Sequence, residues 1–207
     1  MKVLLINGSP HAKGCTYTAL NEVSRELEKC GIETELVHIG GKPVIGCNGC
    51  GKCYDGSNKC VFTDDAVNDV LEKSKTCDGF IIGSPVYYAS ANGSLVSFLD
   101  RMFYAGKFFA YKPGAAIVSA RRAGTTASLD QLNKYFTISQ MPLVTSQYWT
   151  MVHGTSPEEV KKDLEGMQTV RVLGQNMAWL LKCIEAGKNS GIEFPVKEER
   201  VRTNFIR

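Results

Sequence analysis

Apolar positions along this chain keep switching between two rhythms. Val3-Leu4-Leu5-Ile6 is a continuous apolar run closed by Gly8 and Pro10, which predicts a central strand covered on both faces. From Thr16 the spacing becomes helical, with Leu20, Val23, Leu27 and Cys30 on one stripe and Gly31 as the stop. Residues 33–39 alternate instead: Leu36 faces one way, and Glu35, Val37 and Ile39 the other. Polar partners in that alternation predict an edge strand. Thr63, ahead of Asp64 and Asp65, is expected to cap a second helix whose dipole those carboxylates favour.

The same switching continues. Phe80-Ile81-Ile82 predicts a third strand, and Leu95, Phe98, Leu99 and Met102 the helix after it. Ala115 to Val118 predicts a fourth strand, Leu129, Leu132 and Phe136 a helix, and Met141 to Val144 a short fifth strand. Ser156-Pro157-Glu158-Glu159 reads as a capping box with proline at the first helical position. Val170, Leu173, Met177, Leu181 and Ile184 carry the final helical stripe. Five strands alternating with helices predict an α/β domain over 1–188, an open parallel sheet with helices on both faces. Residues 189–207 show no period and are expected to be an arm across a partner subunit or a tail.

Composition adds limits. A chain of 207 residues fits one domain, able to bury about 70% of its unfolded surface. A net charge of +3 without a basic stripe argues against nucleic acid as a partner. No apolar run approaches the ~18 residues of a membrane span, so no membrane role is expected. The chain opens directly into a strand, which suggests a cytoplasmic protein with reduced thiols.

Those thiols change the picture most. Within a glycine-rich loop, 46–60, stand Cys47-x2-Cys50-x2-Cys53-x6-Cys60. Three thiols at three-residue intervals wrap one corner of a metal–sulfur cube, and Cys60 can return to the open corner, which predicts a [4Fe–4S] site. Structural zinc usually takes two C-x2-C pairs set further apart, and free redox-active thiols are the other alternative.

In an open parallel sheet, ligands sit beyond the carboxyl ends of the strands, where strand order reverses. The loop after the first strand, 7–18, has neither dinucleotide nor P-loop spacing. It does run from a buried strand into a helix start, with Ser9, Thr16 and Thr18 hydroxyls beside unpaired N–H groups, an arrangement that suits a phosphate monoester; an ordinary capped turn reads equally well. Lys13 reads as solvated. After the third strand, Gly83 to Ser94 is expected to be a loop whose Pro85 fixes the strand exit. Its Tyr87 and Tyr88 are placed to pack on a planar ring or to cover the sheet end. The loop 119–124 adds N–H groups and the Arg121-Arg122 pair.

Gly8-Ser9-Pro10, Gly46 to Cys53, Cys60-Val61-Phe62-Thr63-Asp64-Asp65, Gly83 to Tyr87, Phe98-Leu99-Asp100-Arg101 and Gly166 to Val170 occur together and in this order. In combination they resemble the iron–sulfur flavoproteins, a branch of the NADPH-dependent FMN reductase group of flavodoxin-like proteins. The resemblance runs from residue 1 to about 187. It implies a three-layer flavodoxin-like fold with strand order 2-1-3-4-5, and FMN as cofactor. It places the FMN phosphate on Ser9, His11, Gly14, Cys15, Thr16 and Thr18, and the ring against Pro85, Val86, Tyr87, Tyr88, Ser119, Arg121, Arg122 and Gly124. Family members often carry arginine in place of His11 and asparagine in place of Cys15. Cys15 reads as a packed thiol, because a phosphate dianion beside it opposes ionisation.

The implied activity is an FMN-dependent oxidoreductase, a homodimer or homotetramer. It takes electrons from NAD(P)H or reduced ferredoxin and delivers them to a small-molecule or protein acceptor, with the [4Fe–4S] cluster on Cys47, Cys50, Cys53 and Cys60. Its catalytic chemistry resides on FMN rather than on a side chain. A flavodoxin-type electron carrier and a thiol or metal redox sensor are the rival classes. No role is assigned to His11, His38 or His153 in catalysis.

Overall fold

The computed structural model describes residues 1–196, 198–199, 201–203 and 205. Six strands, β1 (Lys2–Asn7), β2 (Glu33–His38), β3 (Gly79–Tyr87), β4 (Ser90–Ala91), β5 (Gly114–Ala120) and β6 (Met151–His153), alternate with helices. The helices are α1 (Cys15–Lys29), α2 (Val67–Lys75), α3 (Gly93–Ala105), α4 (Thr125–Ile138), α5 (Pro157–Val160) and α6 (Leu164–Asn189). Five strands form a parallel sheet in the order β2-β1-β3-β5-β6, and β4 pairs antiparallel with the end of β3 alone. With β4 set aside, this is the expected order 2-1-3-4-5.

The continuous apolar run in β1 has a plain cause. Leu4 and Ile6 pack into a core with α2, α3 and α4, while Val3 and Leu5 pack into a second core with α1 and α6. A central strand covered on both faces has no polar side to show. Among the described residues β2 pairs only with β1, and it keeps its half-buried, alternating pattern, with Leu36 on one core and Val37 on the other.

Three expected elements are corrected. The fifth parallel strand is Met151–His153, paired with Val118 to Ala120. Met141 to Val144 makes only an isolated bridge through Leu143 to Gly114, since Pro142 has no N–H to extend a ladder. The second helix starts at Val67 behind Ala66, not behind Thr63, and Asp65 accepts the Val67 N–H at 3.1 Å. Gly83 to Tyr87 is strand rather than loop, with Pro85 inside it opposite Ser119.

Ser156 caps α5, its hydroxyl accepting the Glu159 N–H at 3.3 Å, while the Glu159 carboxylate reaches back one residue further than a capping box, to the Thr155 N–H at 2.6 Å. Beyond Asn189 the described residues carry no helix or strand. Phe194 stacks on Tyr111 with ring centroids 4.9 Å apart and planes at 11°. Among the described residues, no helix is long and apolar enough to cross a membrane.

Candidate functional site

Register brings three connections to one edge of the sheet. Asn7 at the end of β1 stands opposite Gly83, and Pro85 of β3 opposite Ser119 of β5. The chain leaves all three strands at their carboxyl ends, where an open α/β sheet takes its ligand.

The first connection is organised by Asn7. Its buried carboxamide accepts the Ser9 N–H at 3.0 Å and donates to the Ala12 carbonyl at 3.2 Å. Ser9 is buried, and its hydroxyl accepts the His11 N–H at 3.1 Å, which leaves the hydroxyl proton to donate elsewhere. Helix α1 then begins behind Gly14 with no side-chain cap. Its first-turn N–H groups therefore face the loop unpaired and carry the positive end of the helix dipole. Thr18 differs from expectation, because its hydroxyl donates back to the Gly14 carbonyl at 3.1 Å. Cys15 is half-buried and its thiol reaches the Gly154 carbonyl at 3.7 Å. Burial, with Glu159 and Glu158 adding to it, pushes that thiol above its ordinary value.

The second and third connections lean on each other. β3 and β4 form a hairpin whose two tip residues, Tyr88 and Ala89, both have positive φ, 52° and 57°. Gln131 of α4 holds the hairpin by accepting from the Ser90 hydroxyl at 2.8 Å and the Ala91 N–H at 3.0 Å. Gly124, at φ 93°, passes so near that an added Cβ would stand 2.7 Å from the Ala89 Cα. Val86 lies on the same contact, Tyr87 is exposed, and Tyr88 is fully open to solvent. Arg121 and Arg122 are exposed at the rim, and the Arg122 carbonyl lies 3.2 Å from His153 Nε2. Ser119 is buried and meets Thr16.

The cysteine segment lies apart, against the second half of α3. Cys47, Cys50, Cys53 and Cys60 line one cavity with Phe62, Arg101 and Tyr104. All eight cysteines of the chain are free. Among the described residues, no three of His, Cys, Asp or Glu converge closely enough to grip a single metal ion. Burial pushes the Cys53 thiol above its ordinary value; the Lys107 ammonium opposes this, and neighbouring Cys47 and Cys60 add to it. Arg101 reaches Cys60 and Asp65 from within the core. Burial opposes its charge, but hydrogen bonds to Asp65 and Cys60 outweigh that and raise its pKa.

Residues 1–156 match the model of the NADPH-dependent FMN reductase family. The chain belongs to this family. It is 33% identical over 194 residues to an iron–sulfur flavoprotein of Methanocaldococcus jannaschii, a match covering 89% of this chain and all of that one. Among solved structures, RosB with its bound 8-demethyl-8-formylriboflavin-5′-phosphate intermediate superposes with a TM-score of 0.71 at 16% identity, covering 100% of this chain and 92% of that one. A flavodoxin from the domain Archaea superposes with a TM-score of 0.60 at 14% identity, covering 88% of this chain and 99% of that one. These likenesses establish the flavodoxin-like fold. NADPH-dependent FMN reductases are FMN-binding oxidoreductases, and the three converging connections stand where such a cofactor is expected.

Local sequence assigns no role to two residues of this neighbourhood. Asn7 appears in the sequence only as the first residue of the 7–18 connection, and its role needs the path of the loop it holds. Arg101 sits among apolar stripe positions of α3, and a charge at such a position is itself a signal of a buried partner.

Proposed function

We propose that this chain is an FMN-dependent oxidoreductase of the iron–sulfur flavoprotein kind. It moves electrons from NAD(P)H or reduced ferredoxin to a small-molecule or protein acceptor. The observation that carries the reading is the coexistence, in one domain, of an uncapped α1 behind the β1 connection and a cavity lined by four free thiols. The first-turn N–H groups of α1 and the Ser9 hydroxyl would hold the FMN phosphate. The Pro85–Tyr88 segment and the 119–124 connection would flank the ring, and Arg121 at the rim would meet a phosphorylated donor.

The lining of the thiol cavity suits an iron–sulfur cluster. It offers four thiols and contains no carboxylate or imidazole. Cys47, Cys50, Cys53 and Cys60 would hold it. FMN supplies two-electron chemistry when bound, and a cluster supplies single-electron transfer. What this chain contributes is placement: fixed N–H donors toward the phosphate, a glycine at the closest approach of two connections, and a thiol cage walled by Phe62 and Tyr104. A cytoplasmic homodimer or homotetramer completes the reading.

An absorption spectrum of anaerobically prepared protein, with flavin, iron and acid-labile sulfide assays, tests it. Flavin and sulfur-to-iron charge-transfer bands are expected together. Cys50→Ser should remove the iron and leave FMN bound, because the two sites use different connections. Iron and sulfide near zero after reconstitution would sink the cluster, and zinc at one per chain would replace it. Flavin that stays oxidised with both nicotinamides, yet bleaches at once with reduced ferredoxin, would make the protein an electron carrier.

A further inference from the structure

Arg101 is among the largest side chains that are completely enclosed, at 1% exposure. It lies on α3 among Phe98, Leu99 and Met102, all core residues. A guanidinium can remain there only if its donors are matched. The Nε–H donates to Cys60 Sγ at 3.2 Å. Nη1 donates to the Ile45 carbonyl at 3.2 Å and to the Asp65 carboxylate. Nη2 donates to the Phe62 carbonyl at 3.0 Å, with the guanidinium 5.3 Å from the Phe62 ring centroid. These acceptors are Cys60 itself and residues that flank the 46–60 cysteine segment on both sides, with Asp65 five residues beyond Cys60. Ile45 precedes the first cysteine by two residues, and Phe62 follows the last by two.

From this geometry, and resting on the cluster reading above, we infer that Arg101 is a positioning residue for the cysteine site: it clamps both ends of the segment to α3 and directs its Nε–H at the sulfur of Cys60. The ion pair with Asp65 occupies Nη1 alone, and Nε is given to the sulfur instead. The donor on the sulfur has a chemical consequence. Reduction adds negative charge to a cluster, and a hydrogen bond to a ligand sulfur stabilises that charge, so it raises the reduction potential. The clamp also prepares the cage before a cluster arrives. Lysine keeps the charge but lacks the planar fork and cannot serve four acceptors in fixed directions.

The test compares the full-length wild type with Arg101→Lys after anaerobic reconstitution with iron and sulfide. Three quantities are read: flavin per chain, the rate of cluster bleaching by a chelator, and the cluster midpoint potential by an EPR-monitored titration. Arg101→Lys is expected to keep its flavin, to lose its cluster roughly 10-fold faster, and to have a more negative potential. A role confined to stability would lower the thermal midpoint and leave the potential where it was, which overturns the inference. If Arg101→Lys does not fold, the double variant Arg101→Met with Asp65→Asn leaves no unpaired buried charge. It should show the same more negative potential, and an unchanged potential there also overturns the inference. A wild type that takes up no iron defeats the cluster reading itself and this inference with it. A clustered wild type matched by its variant in potential and retention defeats this inference alone.

Discussion

The hydroxyls of Thr16 and Ser119, 103 residues apart in the sequence, meet at 2.8 Å in the protein interior. Thr16 lies in the first turn of α1 and Ser119 near the end of β5, so this contact ties the first connection to the third. Both residues are buried, at 1% and 4% exposure, so each hydroxyl depends on the other for a partner. Thr16→Val keeps the shape and leaves Ser119 unpaired. It should destabilise the flavin-free protein by about 1–3 kcal/mol in urea unfolding. Adding Ser119→Ala should recover part of that loss, since no polar group is then stranded. A double variant as unstable as the sum of the two single ones would show the contact to be incidental.

Gly124 and Ala89 are predicted to respond in opposite directions. Gly124 has φ 93°, and a Cβ there would lie 2.7 Å from backbone of the hairpin tip. Gly124→Ala should lose about 1–3 kcal/mol and loosen flavin binding. Ala89 already holds φ 57° with a side chain. Ala89→Gly should gain about 0.5–1 kcal/mol by releasing left-handed strain. Denaturation midpoints of the two variants decide the matter, and equal shifts of the same sign would refute it.

Tyr88 stands wholly in solvent at that tip. Its removal therefore disturbs no packing, and Tyr88→Ala should alter stability by no more than about 0.5 kcal/mol. On the proposed function, turnover of an artificial acceptor with NAD(P)H should change more than stability does, because Tyr88 directly follows the carboxyl end of β3, the ligand edge of an open parallel sheet. Kinetics identical to the wild type would remove Tyr88 from the site.

Cys15 carries a pH prediction. Burial, first, and then Glu159 and Glu158 raise its thiol above the ordinary 9.0, against the pull of its own N–H. The folded value lies above the unfolded one, so its stabilising contribution is complete below the unfolded value. That contribution is lost as pH rises through the folded value. Cys15→Ser should accordingly flatten the decline of stability on the alkaline side. Alkylation of Cys15 in native protein should stay slow at pH 8 and accelerate only above the ordinary thiol range. Labelling at pH 8 as fast as that of exposed Cys183 would contradict this.

Part of this molecule is written in local pattern. Val3 to Ile6 announces a doubly covered strand because both of its faces must be apolar. Ser156 announces a helix start because its hydroxyl reaches an N–H only three residues away. The cysteine spacing and the order of strands and helices are legible for the same reason: each is settled by neighbours within a few residues.

The rest depends on partners that sequence distance conceals. Met141 to Val144 and Met151 to His153 are both short apolar stretches, and only the edge that β5 offers decides which becomes the strand. Tyr88 and Ala89 make a tight turn without glycine or asparagine, which no local preference favours; Gln131 and Gly124 from other elements hold it. Thr16 finds Ser119 only after β1, β3 and β5 are laid side by side. Arg101 becomes a clamp on the cysteine segment because the chain folds that segment onto α3, where one buried guanidinium meets two carbonyls, a carboxylate and a sulfur. Local sequence determined which elements form and which thiols are available; long-range packing decided which polar groups face one another, since a buried donor must find its acceptor wherever the fold brings one.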